Sequence, residues 1–151
     1  TTAKLKLLYV GRLHPLKGVE FLFEAVPPDC KLVVIGKDEG EGLKLKKIAA
    51  RRGLDVDFKG VVSEEDKEMA YQWCDALVLP TLSENFGLVI AEALERGKCV
   101  ITTDGAPAWG DGNGYGGRLV YLKGYRDGTG ETRVSLLREA IGQLMKRRNH
   151  V

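Results

Sequence analysis

Little in this chain departs from the ordinary globular range, and its scarcities exclude several functions at once. It has only three cysteines, Cys30, Cys74 and Cys99. The count is odd, and the spacing fits neither a zinc site nor a redox Cys-x-x-Cys pair. Cys74 and Cys99 border apolar runs and read as buried thiols in a reducing compartment. Histidine is scarcer still, with His14 and His150 alone. No apolar run reaches the ~18 residues of a membrane span. No signal peptide is apparent, because Thr1 leads within a few residues into a strand-like segment. That abrupt start suggests an excised fragment. Charge of one sign is also lacking: 23 Lys and Arg face 21 Asp and Glu, a net of +2. So small a net charge argues against nucleic acid as the main partner. The basic run Lys146-Arg147-Arg148 reads as a local patch or as favourable charge at a helix C-terminus.

What remains is a chain of 151 residues, 44% apolar and 29% charged, which suits one domain over residues 1–151 with one core. There is no internal repeat and no interdomain linker. Strand-like runs at Leu5–Val10, Leu32–Ile35, Val56–Phe58, Ala76–Leu79, Cys99–Ile101 and Leu119–Tyr121 alternate with helix-like stretches. The helices are expected over Gly18–Val26, Glu41–Arg52, from a Ser63 N-cap through Trp73, over Phe86–Arg96 and around Val134–Lys146. Gly53 sits where a helix-ending glycine belongs. Continuous apolar strands separated by helices predict a Rossmann-like three-layer α/β/α domain with a mainly parallel sheet of about six strands. Ligands of such sheets lie at the carboxyl ends of the strands.

Two of those loops carry chemistry. The first, Gly11-Arg12-Leu13-His14-Pro15-Leu16-Lys17-Gly18, is neither a dinucleotide fingerprint nor a Walker loop. It places Arg12 and Lys17 near a helix N-terminus, where cations oppose the helix dipole. That local cost points to a bound anion, and a diphosphate fits; the alternative is two solvated surface cations. His14 reads as a loop residue near the phosphates and not as a catalytic base. The second stretch runs from Thr81 through Glu84-Asn85-Phe86-Gly87-Leu88 to Glu92 and Leu94. Its helix is apolar around nearly its whole circumference and is expected to be buried. Glu92 is the one charge inside it and requires a partner. Helical side chains lean toward the N-terminus, so Glu92 reaches back toward the helix mouth, where Glu84 lies. Gly87 leaves the first-turn N–H groups open to an anion. Cations and N–H groups suit a diphosphate, and carboxylates suit the hydroxyls of a ribose and a sugar. Alternatively, Glu84 is an acid near a helix N-cap and Glu92 half of a buried ion pair.

With these residues in order, the chain resembles the C-terminal, donor-binding half of GT-B fold glycosyltransferases, in particular glycosyltransferase family 4. The likeness rests on Gly11-Arg12-Leu13 with Lys17-Gly18, on Gly60-Val61-Val62-Ser63, and on Glu84 and Glu92 in an E-x7-E arrangement. Leu79-Pro80, Phe86-Gly87-Leu88 and Gly97-Lys98-Cys99-Val100 also fit, over residues 5–105. The resemblance implies that Arg12 and Lys17 hold the diphosphate of a nucleotide sugar, that Glu84 contacts the transferred sugar and that Glu92 contacts the ribose. It further implies that Asn85, Phe86, Gly87 and Leu88 meet the phosphate and sugar, with Val62 against the base. Glu84, Arg12 and Lys17 would then be the catalytic group. The implied chemistry is retaining hexosyl transfer in polysaccharide or glycolipid synthesis, without a metal or cofactor. The implied partner is the N-terminal acceptor domain of the same enzyme, without which the fragment would be inactive. The enzyme would work free in the cytoplasm or at the inner membrane face, through peripheral association of the full-length protein. Other readings are an epimerase-type enzyme acting on a nucleotide sugar and a non-catalytic interaction module. Asp104-Gly105-Ala106-Pro107-Ala108-Trp109 departs from the family's Gly-Gly-x-Pro-Glu segment and lacks its glutamate. The glycines from Gly105 to Gly117 read as turn formers and not as a phosphate cradle.

Overall fold

Leucine and β-branched runs form the strands of a computed structural model that describes residues 4–110 and 115–149. The strands are β1 (Lys6–Val10), β2 (Lys31–Ile35), β3 (Asp55–Gly60), β4 (Ala76–Val78), β5 (Cys99–Thr103) and β6 (Leu119–Leu122). The helices are α1 (Val19–Ala25), α2 (Gly42–Arg52), α3 (Glu64–Trp73), α4 (Leu88–Glu95) and α5 (Gly130–Asn149). The strands pair in parallel in the order β3-β2-β1-β4-β5-β6. This is the Rossmann-like architecture that the alternation predicts.

Leu7, Leu8 and Tyr9 of β1 and Ala76, Leu77 and Val78 of β4 are completely buried. Strands covered on both faces need apolar side chains on both, which is why no alternation is visible in them. Right-handed crossovers send α1 and α2 over one face and α3 and α4 over the other. Helix α5 packs on α1. Helices α3 and α4 are tied together by Arg96, whose guanidinium donates to both Glu68 carboxylate oxygens at 2.6–2.9 Å.

Local signals hold where they were clearest. Ser63 Oγ accepts the Asp66 N–H at 3.1 Å and three acids fill the first turn of α3. Gly53 adopts φ 66° and closes α2. Three expectations require correction. Helix α4 begins at Leu88, not Phe86, because Gly87 turns the chain through left-handed backbone at φ 74°. Helix α4 is also not buried all round: Ile90, Ala93 and Leu94 are, whereas Phe86 is 57% and Leu88 67% exposed. Finally, Cys30 and Cys74 are buried but Cys99, at the start of β5, is only partly so. Residues 111–114 of the glycine-rich loop and His150 lie outside the described residues.

Candidate functional site

The strand order reverses between β1 and β4, since β1 leads outward to β2 on one side and β4 to β5 on the other. The loops that follow these two adjacent strands therefore diverge and leave a crevice at the carboxyl edge. A cleft of about 390 Å³ occupies it, lined by Arg12, Lys17, Glu84, Asn85, Phe86, Gly87 and Leu88 with apolar residues from both loops. Seven of the residues singled out in the sequence thus share one cavity.

Each loop is held in shape from behind. Tyr9, fully buried at the end of β1, donates its hydroxyl to the Arg12 carbonyl at 2.7 Å. Burial, reinforced by the charge of Glu84, pushes its phenol well above the usual value, so the proton stays on to make that bond. A 3-10 turn over Pro15–Lys17 follows, with the His14 imidazole accepting the Leu16 N–H at 3.1 Å. His14 is thus a turn-capping loop residue. Gly18 ends the turn at φ 64°, and a Cβ there would overlap the Pro80 carbonyl oxygen. The two loops consequently touch, and Leu82 N–H donates to the Leu16 carbonyl at 2.9 Å. Behind the second loop, Thr103 donates to the Thr81 carbonyl at 2.5 Å and Tyr125 to the Pro80 carbonyl at 2.8 Å. These buried hydroxyls satisfy carbonyls that the short strand β4 leaves unpaired.

The charges are paired. Lys17 Nζ lies 2.5 Å from Glu84, with 13% and 17% of the two side chains exposed. Arg12 Nη1 lies 2.9 Å from Glu39, in the loop after β2. The cost of placing two cations at the ligand edge is therefore offset by two carboxylates. No side chain caps α4, and no acid occupies its first turn. Its first-turn N–H groups and the two cations face the same cleft, an arrangement that favours an anion.

Two residues lie elsewhere. Glu92 is not deeply buried: its side chain is 31% exposed, and it pairs loosely with Lys67 of α3 at 3.7 Å. Val62 lines a separate cavity of about 520 Å³ with Met69 and Trp73 of α3 and Asp57 and Lys59 of β3. That cavity is the larger, and its lining includes Asp57 and Lys59, which pair with each other at 3.0 Å. Between the loops after β1, β2 and β3 a further groove of about 420 Å³ is lined by Leu13, Lys37, Asp38, Gly60 and Val61. The chain also contains an Asp-x-Asp triplet, Asp55-Val56-Asp57. It lies on edge strand β3, where Asp55 pairs with Lys4 at 3.2 Å and Asp57 with Lys59 at 3.0 Å.

Nothing in the spacing announced Glu39 or Tyr9. An acid in the loop after the second strand, and a tyrosine inside an aliphatic strand next to the cation loop, were the available signals.

The sequence profile of glycosyl transferases group 1 matches residues 2–111. D-inositol 3-phosphate glycosyltransferase from Mycobacterium sp. strain KMS is 36% identical over 101 residues, which span 62% of this chain and 23% of that protein. The chain thus spans about a quarter of the length of this curated relative. Among solved structures, WaaG, a glycosyltransferase involved in lipopolysaccharide biosynthesis, superposes with a TM-score of 0.72 at 25% identity, over 94% of this chain and 39% of that one. The pneumococcal O-GlcNAc transferase GtfA, in complex with UDP and GlcNAc, gives 0.81 at 21% identity, over 97% and 30%. Two loops meeting at the switch point of a parallel sheet, and a sequence that matches through both of them, place this chain in the glycosyl transferases group 1 family.

Proposed function

We propose that this chain is the donor-binding domain of a retaining glycosyltransferase that takes its sugar from a nucleoside-diphosphate sugar. The observation that carries the reading is the convergence of Arg12, Lys17 and Glu84 on the uncapped start of α4 within one cleft. A diphosphate seated there meets two cations and the first-turn N–H groups. As the glycosidic bond breaks, negative charge grows on the departing diphosphate, and fixed positive groups stabilise that charge most. The same groups do this without a metal. Glu84, released from Lys17 by the incoming phosphate, is free to accept hydroxyl hydrogen bonds from the transferred sugar. Glu92 would turn from its loose contact with Lys67 toward the ribose, and the groove beside Val61 offers room for the base. A fold neighbour bound to UDP and GlcNAc supports a ligand of this class.

The acceptor wall would belong to a second domain, so this chain alone is expected to bind donor without transferring sugar. Uridine, guanosine and adenosine diphosphates and their hexose esters, titrated while amide resonances are followed, test the reading. Shifts at Arg12, Gly87 and Glu92 with one base are expected. Unmoved resonances with all three at millimolar concentration would exclude it. The anomeric configuration of the product made by the full-length protein tests retention.

A further inference from the structure

Aromatic side chains are scarce in this protein, and nearly all are buried or half-buried. The exposed ones are Phe86, at 57%, and Tyr115, at 45%. Both flank the same indole: the Trp109 ring centroid lies 6.3 Å from Phe86 and 6.1 Å from Tyr115, with the ring planes at 66° and 54°. Trp109 is fixed by its Nε1–H, which donates to the Phe86 carbonyl at 2.8 Å. Phe86 lines the cleft, and a Cβ on Gly87 would lie 3.4 Å from Trp109 Nε1 and 3.5 Å from Glu84 Cγ. The three rings therefore form a shelf that begins at the cleft wall beside Glu84 and leads outward.

Phe86 and Tyr115 stand in water on either side of a partly buried Trp109, and this apolar surface beside a polar cleft is open to a ligand. Glu84 stands across Gly87 from it, carrying Lys17 as its ion-pair partner. A pyranose matches both: its C–H faces lie flat on rings, and its equatorial hydroxyls reach charged acceptors and donors. We infer that Trp109, with Phe86 and Tyr115, is a stacking platform for a saccharide ring at the outer end of the cleft. The inference rests on the proposed sugar-transfer function only for the origin of that ring, which is either the donor's hexose or the acceptor saccharide.

Trp73 is the other tryptophan, so Trp73→Phe leaves Trp109 as the sole emitter. Emission is then followed while uridine, guanosine and adenosine diphosphates, their hexose esters, methyl glucoside and maltose are added separately. Gly87 amide shifts report the diphosphate in parallel. A hexose ester moving the emission where its diphosphate does not assigns the donor sugar. Movement with the free saccharides assigns the acceptor. In either case Tyr115→Ala weakens the response about tenfold, and in Trp109→Ala the saccharide-dependent shift of the Phe86 amide is lost while amide dispersion is retained. Diphosphates shifting Gly87 while no saccharide moves Trp109 would overturn the shelf and spare the donor site. Saccharide binding with no diphosphate effect would do the reverse.

Discussion

Helices α3 and α4 lie side by side on one face of the sheet, yet their beginnings are opposites. Helix α3 opens on Ser63, which accepts the Asp66 N–H, and carries Glu64, Glu65 and Asp66 in its first turn. Its dipole and one of its orphan donors are satisfied by its own sequence. Helix α4 opens on Gly87, with no capping side chain, no acid in its first turn and two exposed apolar residues around it. What completes it comes from far away in the chain: Lys17 is 67 residues from its partner Glu84. One helix end is finished by its own sequence; the other is not, and on the proposed function a diphosphate completes it.

The comparison is broken most severely at Lys17. Lys17→Ala removes a charge-assisted contact and leaves Glu84 in the cleft without its cation. Diphosphate affinity, measured by calorimetry with whichever base binds, is expected to fall about thirtyfold. Gly87→Ala comes next. The left-handed backbone costs a non-glycine residue about 1–2 kcal/mol, and the new methyl would meet Ile90 Cδ1 at 3.0 Å. Chemical denaturation is expected to show that loss, and diphosphate binding should weaken with it. Ser63→Ala should cost about 1 kcal/mol of stability and leave diphosphate affinity unchanged. Equal effects of Ser63→Ala and Gly87→Ala on binding would erase the contrast between the two helix ends. The smallest effect concerns the bridge between the helices. Hydrogen bonds from Arg96 hold the Glu68 carboxyl down at about 2, against an ordinary 4.5. Because the folded value lies below the unfolded one, this contribution is whole above about pH 4.5 and is lost as pH falls through 2. Glu68→Gln should flatten the dependence of Tm on pH across that window, with its small loss of Tm present at neutrality and vanishing toward pH 2.

The parts of the fold legible in the sequence are those that neighbours in the chain decide. Ser63 and Gly53 announce their helix ends because capping is settled within four residues. The parallel sheet is legible because strands covered on both faces must be apolar throughout. The start of α4 was not legible: Phe86 and Leu88 have the spacing of a buried face, and only the position of the first turn at the open edge of the sheet exposes them. The site was half legible. Residue types in the loops after β1 and β4 point to an anion, and the switch point joins those loops. Which cation meets which carboxylate depends on contacts 27 and 67 residues apart, at Arg12–Glu39 and Lys17–Glu84, and no local pattern encodes them.

Those two pairs have a consequence of their own. Each of the two cations already holds a counter-ion from the chain itself. An anion that enters competes with those carboxylates, most of all with Glu84 for Lys17, and a small monovalent ion offers little in return. A chain of two linked phosphates can replace both carboxylates in one event. On the proposed function, this charge pairing sets a threshold that favours a diphosphate over a single small anion.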